Sequence, residues 1–220
     1  MPRAKPSAAP SAAPAAAQTT DHTAAPTDLR EACVMAAREV IAEQGIENLS
    51  LRDVARKLGV SHQAPYKHYP SRDHLLAEVM RRCFEEFAAW LDARKHFDDP
   101  AQDLESLGHR YLHFAQQRPL EYRLMFSTPW PAAAHHPEVD RYAVHAFDVL
   151  RQVMQRMHGA GKDRREQVEL DALYIWSSMH GLAGVMNGDS LGKLGLSAKV
   201  RKQLVSHIMT RVGHGLTGSV

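Results

Sequence analysis

Cysteine is scarce: the 220 residues hold two, Cys33 and Cys83, in no CxxC or other metal-ligand spacing. Two thiols in a chain of this size suit a reducing cytoplasm, where cysteine behaves as a small buried hydrophobe. Long hydrophobic runs are missing too. No stretch of about 18 uncharged apolar residues occurs, so no transmembrane helix is expected. Nor does one sign of charge dominate. The 27 Lys and Arg against 25 Asp and Glu leave a formal charge of +2, a balance that by itself does not announce a nucleic-acid binder. Strand signals are nearly absent, with no alternating apolar–polar run enriched in β-branched residues. The chain carries no Walker loop, no HExxH and no kinase motif set. The expectation is therefore a protein that is not an enzyme, with no catalytic residue, metal or cofactor. What is present, 44% hydrophobic and 24% charged residues, is ordinary for a globular chain and excludes disorder along its whole length. The length suits one large domain or two small ones.

Residues 1–26 read MPRAKPSAAPSAAPAAAQTTDHTAAP. They hold almost no large side chain that could repay the entropy of ordering, and the prolines interrupt any alanine-driven helix. Arg3 and Lys5 precede an Ala/Pro run, but a secretory core of Leu, Val, Ile or Phe is lacking. A disordered tail is expected, with a basic arm touching DNA phosphates as the functional alternative.

From Thr27 helical periodicity takes over. A first helix is expected over 28–44, capped by Thr27 and ended by Gly45, with Leu29, Cys33, Ala36, Ala37, Val40 and Ile41 on one face. A short one follows over 51–58. Ser50 is its N-cap, Asp53 nearly completes a capping box, and Gly59 stops it. A third begins after Ser61 and ends near Tyr69-Pro70. A fourth, capped by Ser71, covers about 72–94. Further helices are expected over 101–117, 120–126, 138–158, from Asp163 to about 186, and after Ser197. Residues 127–137, with three prolines, read as a loop.

The informative feature is the pair of short helices between Ser50 and Arg72. Ala55 is small where they would cross, and Gly59 sits four residues on, at the turn. Such spacing lets a second helix pack steeply across the first, as in a helix-turn-helix. The same span carries Arg52, Arg56, Lys57, Lys67 and Arg72 against a single acid, Asp53. Ser61, His62 and Gln63 would supply polar groups for base edges. Tyr66, Lys67, His68 and Arg72 would supply donors for phosphates. The amides around Ser71 and Arg72 would add an anion site at a helix start. Pro65 has no amide to close a first turn, so the recognition helix is expected to start irregularly or effectively at Pro65.

The stretch from Gly45 to Leu76, GIENLSLRDVARKLGVSHQAPYKHYPSRDHLL, resembles the DNA-binding region of the TetR family of transcriptional regulators. The likeness covers residues 28–80. It implies an all-α fold, with an N-terminal three-helix helix-turn-helix domain joined to a helical ligand-binding and dimerisation domain. The domains would be a tail over 1–26, the DNA-binding unit over 27–80 and the effector and dimerisation unit over 81–220. By matching position, the family's DNA contacts would fall on Ser50, Arg52, Ser61, His62, Gln63, Tyr66, Lys67, His68 and Arg72.

In the second half, Trp176-Ser-Ser-Met-His180-Gly181 resembles the WHG motif of one branch of TetR-like C-terminal domains. Gly181, Gly184 and Ser177 permit a close helix approach. The resemblance implies a homodimer through about 163–186 and 198–213. It also implies an apolar effector pocket. The candidate lining is Tyr122, Phe126, Trp130 and Trp176, with polar points at His109, His113, Tyr122 and His180. His109 and His113 stand one helical turn apart, a spacing that can bind zinc, but no third ligand is obvious. His135 and His136 read as solvent-exposed.

Two functions compete. One is a dimeric, ligand-responsive repressor that binds a pseudo-palindromic DNA operator in the cytoplasm and leaves it when a small-molecule effector binds. The other is an all-helical small-molecule or metal-binding protein in which DNA binding is secondary or lost.

Overall fold

The computed structural model describes residues 26–130, 136–159, 161 and 164–217. The tail, His135 and the Asp163 cap lie outside them. Every regular element among the described residues is helical.

Helix α1 (Pro26–Gln44) starts before Thr27, so Thr27 lies within it rather than capping it. Gly45, at φ 86°, turns the chain out of α1 into a 3-10 turn over Ile46–Asn48. Helix α2 (Leu51–Leu58) has the expected bounds. The Ser50 hydroxyl accepts the Asp53 amide at 3.1 Å and donates to the Asp53 carboxylate. At the other end Gly59 takes a left-handed conformation, φ 67°. Its amide reaches the Arg56 carbonyl at 3.2 Å, and the Val60 amide reaches that of Ala55 at 3.1 Å. This double bond pattern satisfies the end of a helix and sends the chain off at a steep angle.

The segment that follows corrects one expectation. No α-helix forms between Ser61 and Tyr69. Residues 62–64 form turns, and Pro65–Lys67 is a single 3-10 turn. The amides of Ala64, Lys67 and His68 each bond three residues back. The reason is the one read from Pro65: a residue without an amide starts a helix but cannot continue one. Tyr69 then buries its ring and donates its hydroxyl to the Arg30 carbonyl at 3.2 Å, fastening this segment to α1.

Helix α3 (Arg72–Asp92) has 21 residues, a length of about 30 Å at ~1.5 Å per residue. The Ser71 hydroxyl caps it on the His74 amide. Its buried stripe runs unbroken from Leu75 to Leu91. The first half packs with α1, which in turn packs with α2. The second half packs with α4 (Pro100–Gln117), α5 (Pro119–Phe126) and α6 (Pro137–His158). Helix α7 (Arg165–Asn187) lies against α4 and α6. A one-turn helix, α8 (Ser190–Lys193), follows it, and α9 (Ala198–Thr217) closes the chain.

One buried ion cluster fixes the join of three helices. Asp103 of α4 is fully buried and is held by Arg94 at 3.1 and 3.2 Å and by Arg156 of α6 at 2.7 Å. Arg156 also bonds the carbonyls of Phe97 and Asp98. Burial pushes the Asp103 carboxyl up, but the two arginines outweigh it and hold the group below the usual carboxylate range.

Candidate DNA-binding face and ligand cavity

The sequence-predicted contact residues cluster at one end of the molecule, on the turn between α2 and α3. Arg52, Ser61, His62, Gln63, Tyr66 and Lys67 are exposed, while Ser50, His68 and Arg72 are half-buried. Tyr66 leaves 43% of its surface open beside the buried Pro65. The 3-10 turn thus presents Tyr66 and Lys67 outward while Pro65 and Tyr69 point into the core.

The charge of this face is lower than its composition suggests. Lys57 lies 2.7 Å from Glu43 and 3.1 Å from Glu39, both on α1. Arg56 pairs with Asp53. Arg72 donates to the carbonyls of Ile46 at 2.7 Å and Leu49 at 3.1 Å, and faces Asp73 at 3.3 Å. Ser50 is engaged in the cap of α2. Among the described residues of this face, Arg52 and Lys67 are the cations that carry no ion pair. The anion site read at the start of α3 is also partly taken, since the Ser71 hydroxyl occupies one amide.

The second feature is a cavity of about 720 Å³ between α3, α4, α5, α6 and α7. Phe84, Phe87 and Leu91 of α3 form one wall, and Ile175, Trp176, Met179 and His180 of α7 another. Phe126, Trp130 and Phe147 complete an aromatic lining. The Trp130 ring packs edge-on to Phe84 at 5.0 Å, held by its indole N–H on the Met125 carbonyl at 2.8 Å. The candidates Phe126, Trp130, Trp176 and His180 all line this space. Tyr122 stands behind His180, with its hydroxyl 2.7 Å from Nδ1.

His109 and His113 do not line this cavity. His109 is exposed, 3.8 Å from Glu105, and His113 lies against the Trp90 ring, 5.3 Å between centroids. At 3.6 residues per turn, both project about 180° from the buried Leu104–Leu107–Tyr111 stripe. Among the described residues no group of three His, Cys, Asp or Glu side chains is placed to hold a metal ion. His136 is half-buried rather than solvent-exposed, its ring edge-on to that of His74 at 5.0 Å.

Tyr111 is the polar group that sequence reasoning missed. It was legible only as one apolar position of α4, yet its hydroxyl lies 3.1 Å from that of Tyr122 and 3.3 Å from His180 Nδ1. Burial pushes the Tyr122 phenol up to about 12 and the Tyr111 phenol up further still, so both remain protonated. Burial shifts His180 the other way, below the ordinary histidine range, which favours neutral imidazole.

Helix α7 is apolar on two sides. Val168, Ala172, Ile175 and Met179 face the core, while Leu170, Leu173, Tyr174 and Val185 are exposed. Gly181 and Gly184 on the outer side have open space where a side chain would stand.

Two strings match enzyme fingerprints by spacing alone. Gly188–Gly192 reads GDSLG, and Gly213–Gly218 reads GHGLTG. A nucleophile elbow or a dinucleotide loop needs a strand leading into the glycines. Here helix α7 leads into the first, and the second lies in α9 as far as Thr217. Neither has the context its chemistry requires.

Comparison with known proteins adds a family. Residues 34–79 match the family of bacterial regulatory proteins designated tetR, and residues 104–212 match the tetracyclin repressor-like C-terminal domain. Curated relatives include the HTH-type transcriptional regulator Rv1816 of Mycobacterium tuberculosis, 27% identical over 113 residues, which are 50% of this chain and 47% of that one. The HTH-type transcriptional repressor KstR2 of Mycolicibacterium smegmatis is 27% identical over 89 residues, 40% of this chain and 42% of its own. The chain spans about half the length of the curated relatives it matches. Among solved structures, regulatory protein SCO4313 superposes with a TM-score of 0.69 at 22% identity, covering 85% of this chain and 96% of that one. A transcriptional regulator from Rhodococcus sp. Rha1 gives 0.60 at 24% identity, covering 85% and 95%. At such identities the likeness is one of fold.

Proposed function

The chain belongs to the TetR family of transcriptional regulators, and on that premise we propose that it is a cytoplasmic, dimeric repressor that binds a pseudo-palindromic operator and leaves it when a small molecule fills the cavity. The observation that carries this reading is the dual use of α3. Its N-terminal half is packed into the helix-turn-helix unit, and its C-terminal half supplies Phe84 and Phe87 to the cavity wall. A ligand that displaces these rings moves a rigid helix whose other end sets the position of the DNA-facing turn. Coupling of this kind is typically about 1 to 3 kcal/mol. The exposed apolar side of α7, with Gly181 and Gly184 open for close approach, supports pairing with a second copy through α7 and α9. Two-fold symmetry would then place two reading turns on half-sites spaced by the dimer.

Contacts to bases would come from Ser61, His62 and Gln63, and to phosphates from Arg52, Tyr66 and Lys67, with His68 beside them. Selection of bound duplexes from a random pool tests the proposal. A recovered pseudo-palindrome supports it. No enrichment of any duplex, or a strictly monomeric chain, overturns it and favours the small-molecule-binding alternative, to which the small number of unpaired cations on the DNA-facing turn already lends weight.

A further inference from the structure

The arrangement of Tyr111, Tyr122 and His180 carries information about the ligand, not only about the wall. The three polar groups bond one another, Tyr122 Oη to His180 Nδ1 at 2.7 Å, Tyr111 Oη to Tyr122 Oη at 3.1 Å, and Tyr111 Oη to Nδ1 at 3.3 Å, and the Trp176 indole N–H, which can only donate, adds a hydrogen bond to the Tyr111 oxygen. Both tyrosines are buried. Counting protons selects the histidine tautomer. If Nδ1 carried the hydrogen, the cluster would hold four donors, the indole included, and only two oxygen acceptors. One phenolic O–H would then be buried without an acceptor, a state that costs about 1 to 3 kcal/mol. If Nδ1 is bare, Tyr122 donates to it, Tyr111 donates to the Tyr122 oxygen, and every proton has a place. The imidazole is neutral, so its hydrogen then resides on Nε2.

Among the described residues His180 Nε2 has no hydrogen-bond partner. Nor is it among the described residues' buried side-chain atoms that lack a hydrogen-bond partner. The ring to which it belongs lines the cavity, stacked on Tyr122 and flanked by Phe126 at 5.3 Å and Trp176 at 5.9 Å. One oriented donor therefore stands in a largely apolar lining of mixed aromatic and aliphatic side chains. The charged residues at the lining do not favour an anion. Arg151 is bonded to Asp148 at 2.8 Å and faces Glu169 at 3.5 Å, while Asp140 adds a negative charge. A carboxylate ligand would lose its hydration and gain no free cation.

We propose that the cavity takes an uncharged, largely apolar molecule bearing a single strong acceptor, such as a ketone or amide oxygen, which accepts a hydrogen bond from His180 Nε2–H. Tyr111 and Tyr122 act as positioning residues that set the tautomer. This rests on the reading of the cavity as the effector site and names the chemistry that site selects. It also supplies a physical role for the Trp176–His180–Gly181 motif: tryptophan shapes the wall and histidine offers the donor.

The probe is 6-propionyl-2-dimethylaminonaphthalene, a neutral naphthalene with one ketone oxygen, whose emission responds to polarity and hydrogen bonding. It is titrated into the full chain alongside its 6-propyl analogue, which lacks the acceptor. The expected result is saturable binding of the ketone to the parent protein, weakened about five- to tenfold by His180→Phe, the size of one neutral hydrogen bond. Binding of the propyl analogue is expected to be unchanged. Equal loss for both probes, no loss for the ketone, no binding of the ketone at all, or tighter binding of the corresponding 6-carboxylate overturns the proposal. Nitrogen-15 spectra of the unliganded parent protein provide a second test that needs no variant: His180 protonated at Nε2 supports the proposal, and protonation at Nδ1 overturns it. Failure here leaves the duplex selection untouched, and failure of that selection leaves the probe result standing, so the two readings fall separately.

Discussion

Arg72 and Lys67 look alike in composition but do different work. The Arg72 guanidinium ties the start of α3 to the carbonyls of Ile46 and Leu49. Arg72→Ala should therefore lower stability by about 1 to 3 kcal/mol, seen as a reduced midpoint in thermal or urea unfolding. Lys67, exposed and without an ion pair, should behave oppositely. Lys67→Ala should leave stability within about 0.5 kcal/mol, weaken DNA binding on every sequence, and reduce the slope of log affinity against log salt by about one. An unchanged salt slope would remove Lys67 from the DNA face. Gln63→Ala should instead alter which sequences are preferred. His180 gives a pH signature. Burial holds its pKa below that of the unfolded chain, so below about pH 6.5 the unfolded state binds a proton that the native state refuses. Stability contributed by this group is full above that pH and is lost as pH falls towards the native pKa. The parent should thus lose stability relative to His180→Phe as pH falls below about 6.5, measured as the difference between the two unfolding curves.

Among elements, the junction of α3, α4 and α6 depends on one carboxylate. Asp103→Asn would leave the buried Arg94 without its counter-charge and take one partner from the more exposed Arg156, a defect of about 3 to 5 kcal/mol. Its acid dependence has a definite sign. The Asp103 carboxyl is held below its ordinary range, so its contribution is present at neutral pH and disappears as pH falls through the native pKa. Parent and Asp103→Asn should converge in acid, by calorimetry or denaturant midpoint. A gap that does not narrow as the solution is made more acidic would mean that charge pairing is not what holds the junction. Helix α3 itself is continuous, and Leu75, Val79, Phe84 and Phe87 all belong to one hydrophobic core that runs along it. Ion pairs reinforce the join: Arg38 of α1 meets Glu86 of α3 at 2.7 Å and Glu121 of α5 at 4.0 Å. Arg38 thus links α1 both to α3 and to α5, which lines the cavity through Met125 and Phe126.

At the scale of the molecule the open question is what covers the outer side of α7. Leu170, Leu173, Tyr174 and Val185 are each more than 40% exposed, more apolar surface on one helix than a free solvent face usually carries. Leu170→Glu should cost little in a monomer. In the proposed dimer it buries two like charges, so sedimentation at micromolar concentration should show the monomer, with loss of palindrome binding. A dimer that survives Leu170→Glu would place the interface elsewhere.

Much of this was legible from the chain alone, because it is written in neighbouring residues. Ser50 and Gly59 bound α2 to the residue, and Pro65 cut short the helix after it, since caps, left-handed turns and missing amides act within about five positions. The expectation that His109 and His113 line the pocket fails, because α4 turns both away from its buried Tyr111 face, His109 to the exterior and His113 onto the Trp90 ring. Helix α8, four residues with Gly192 among them, was too short for any period to register. What only the tertiary structure decided is which side chains are free and which are spent. Lys57 is neutralised by glutamates on α1, Arg72 is used on backbone carbonyls, and Tyr111, Tyr122 and His180 are gathered from three separate helices into one cluster. Those pairings join residues up to 69 positions apart, and no local rule reaches that far: a side chain's charge and its free donors are set by the neighbours that folding brings to it.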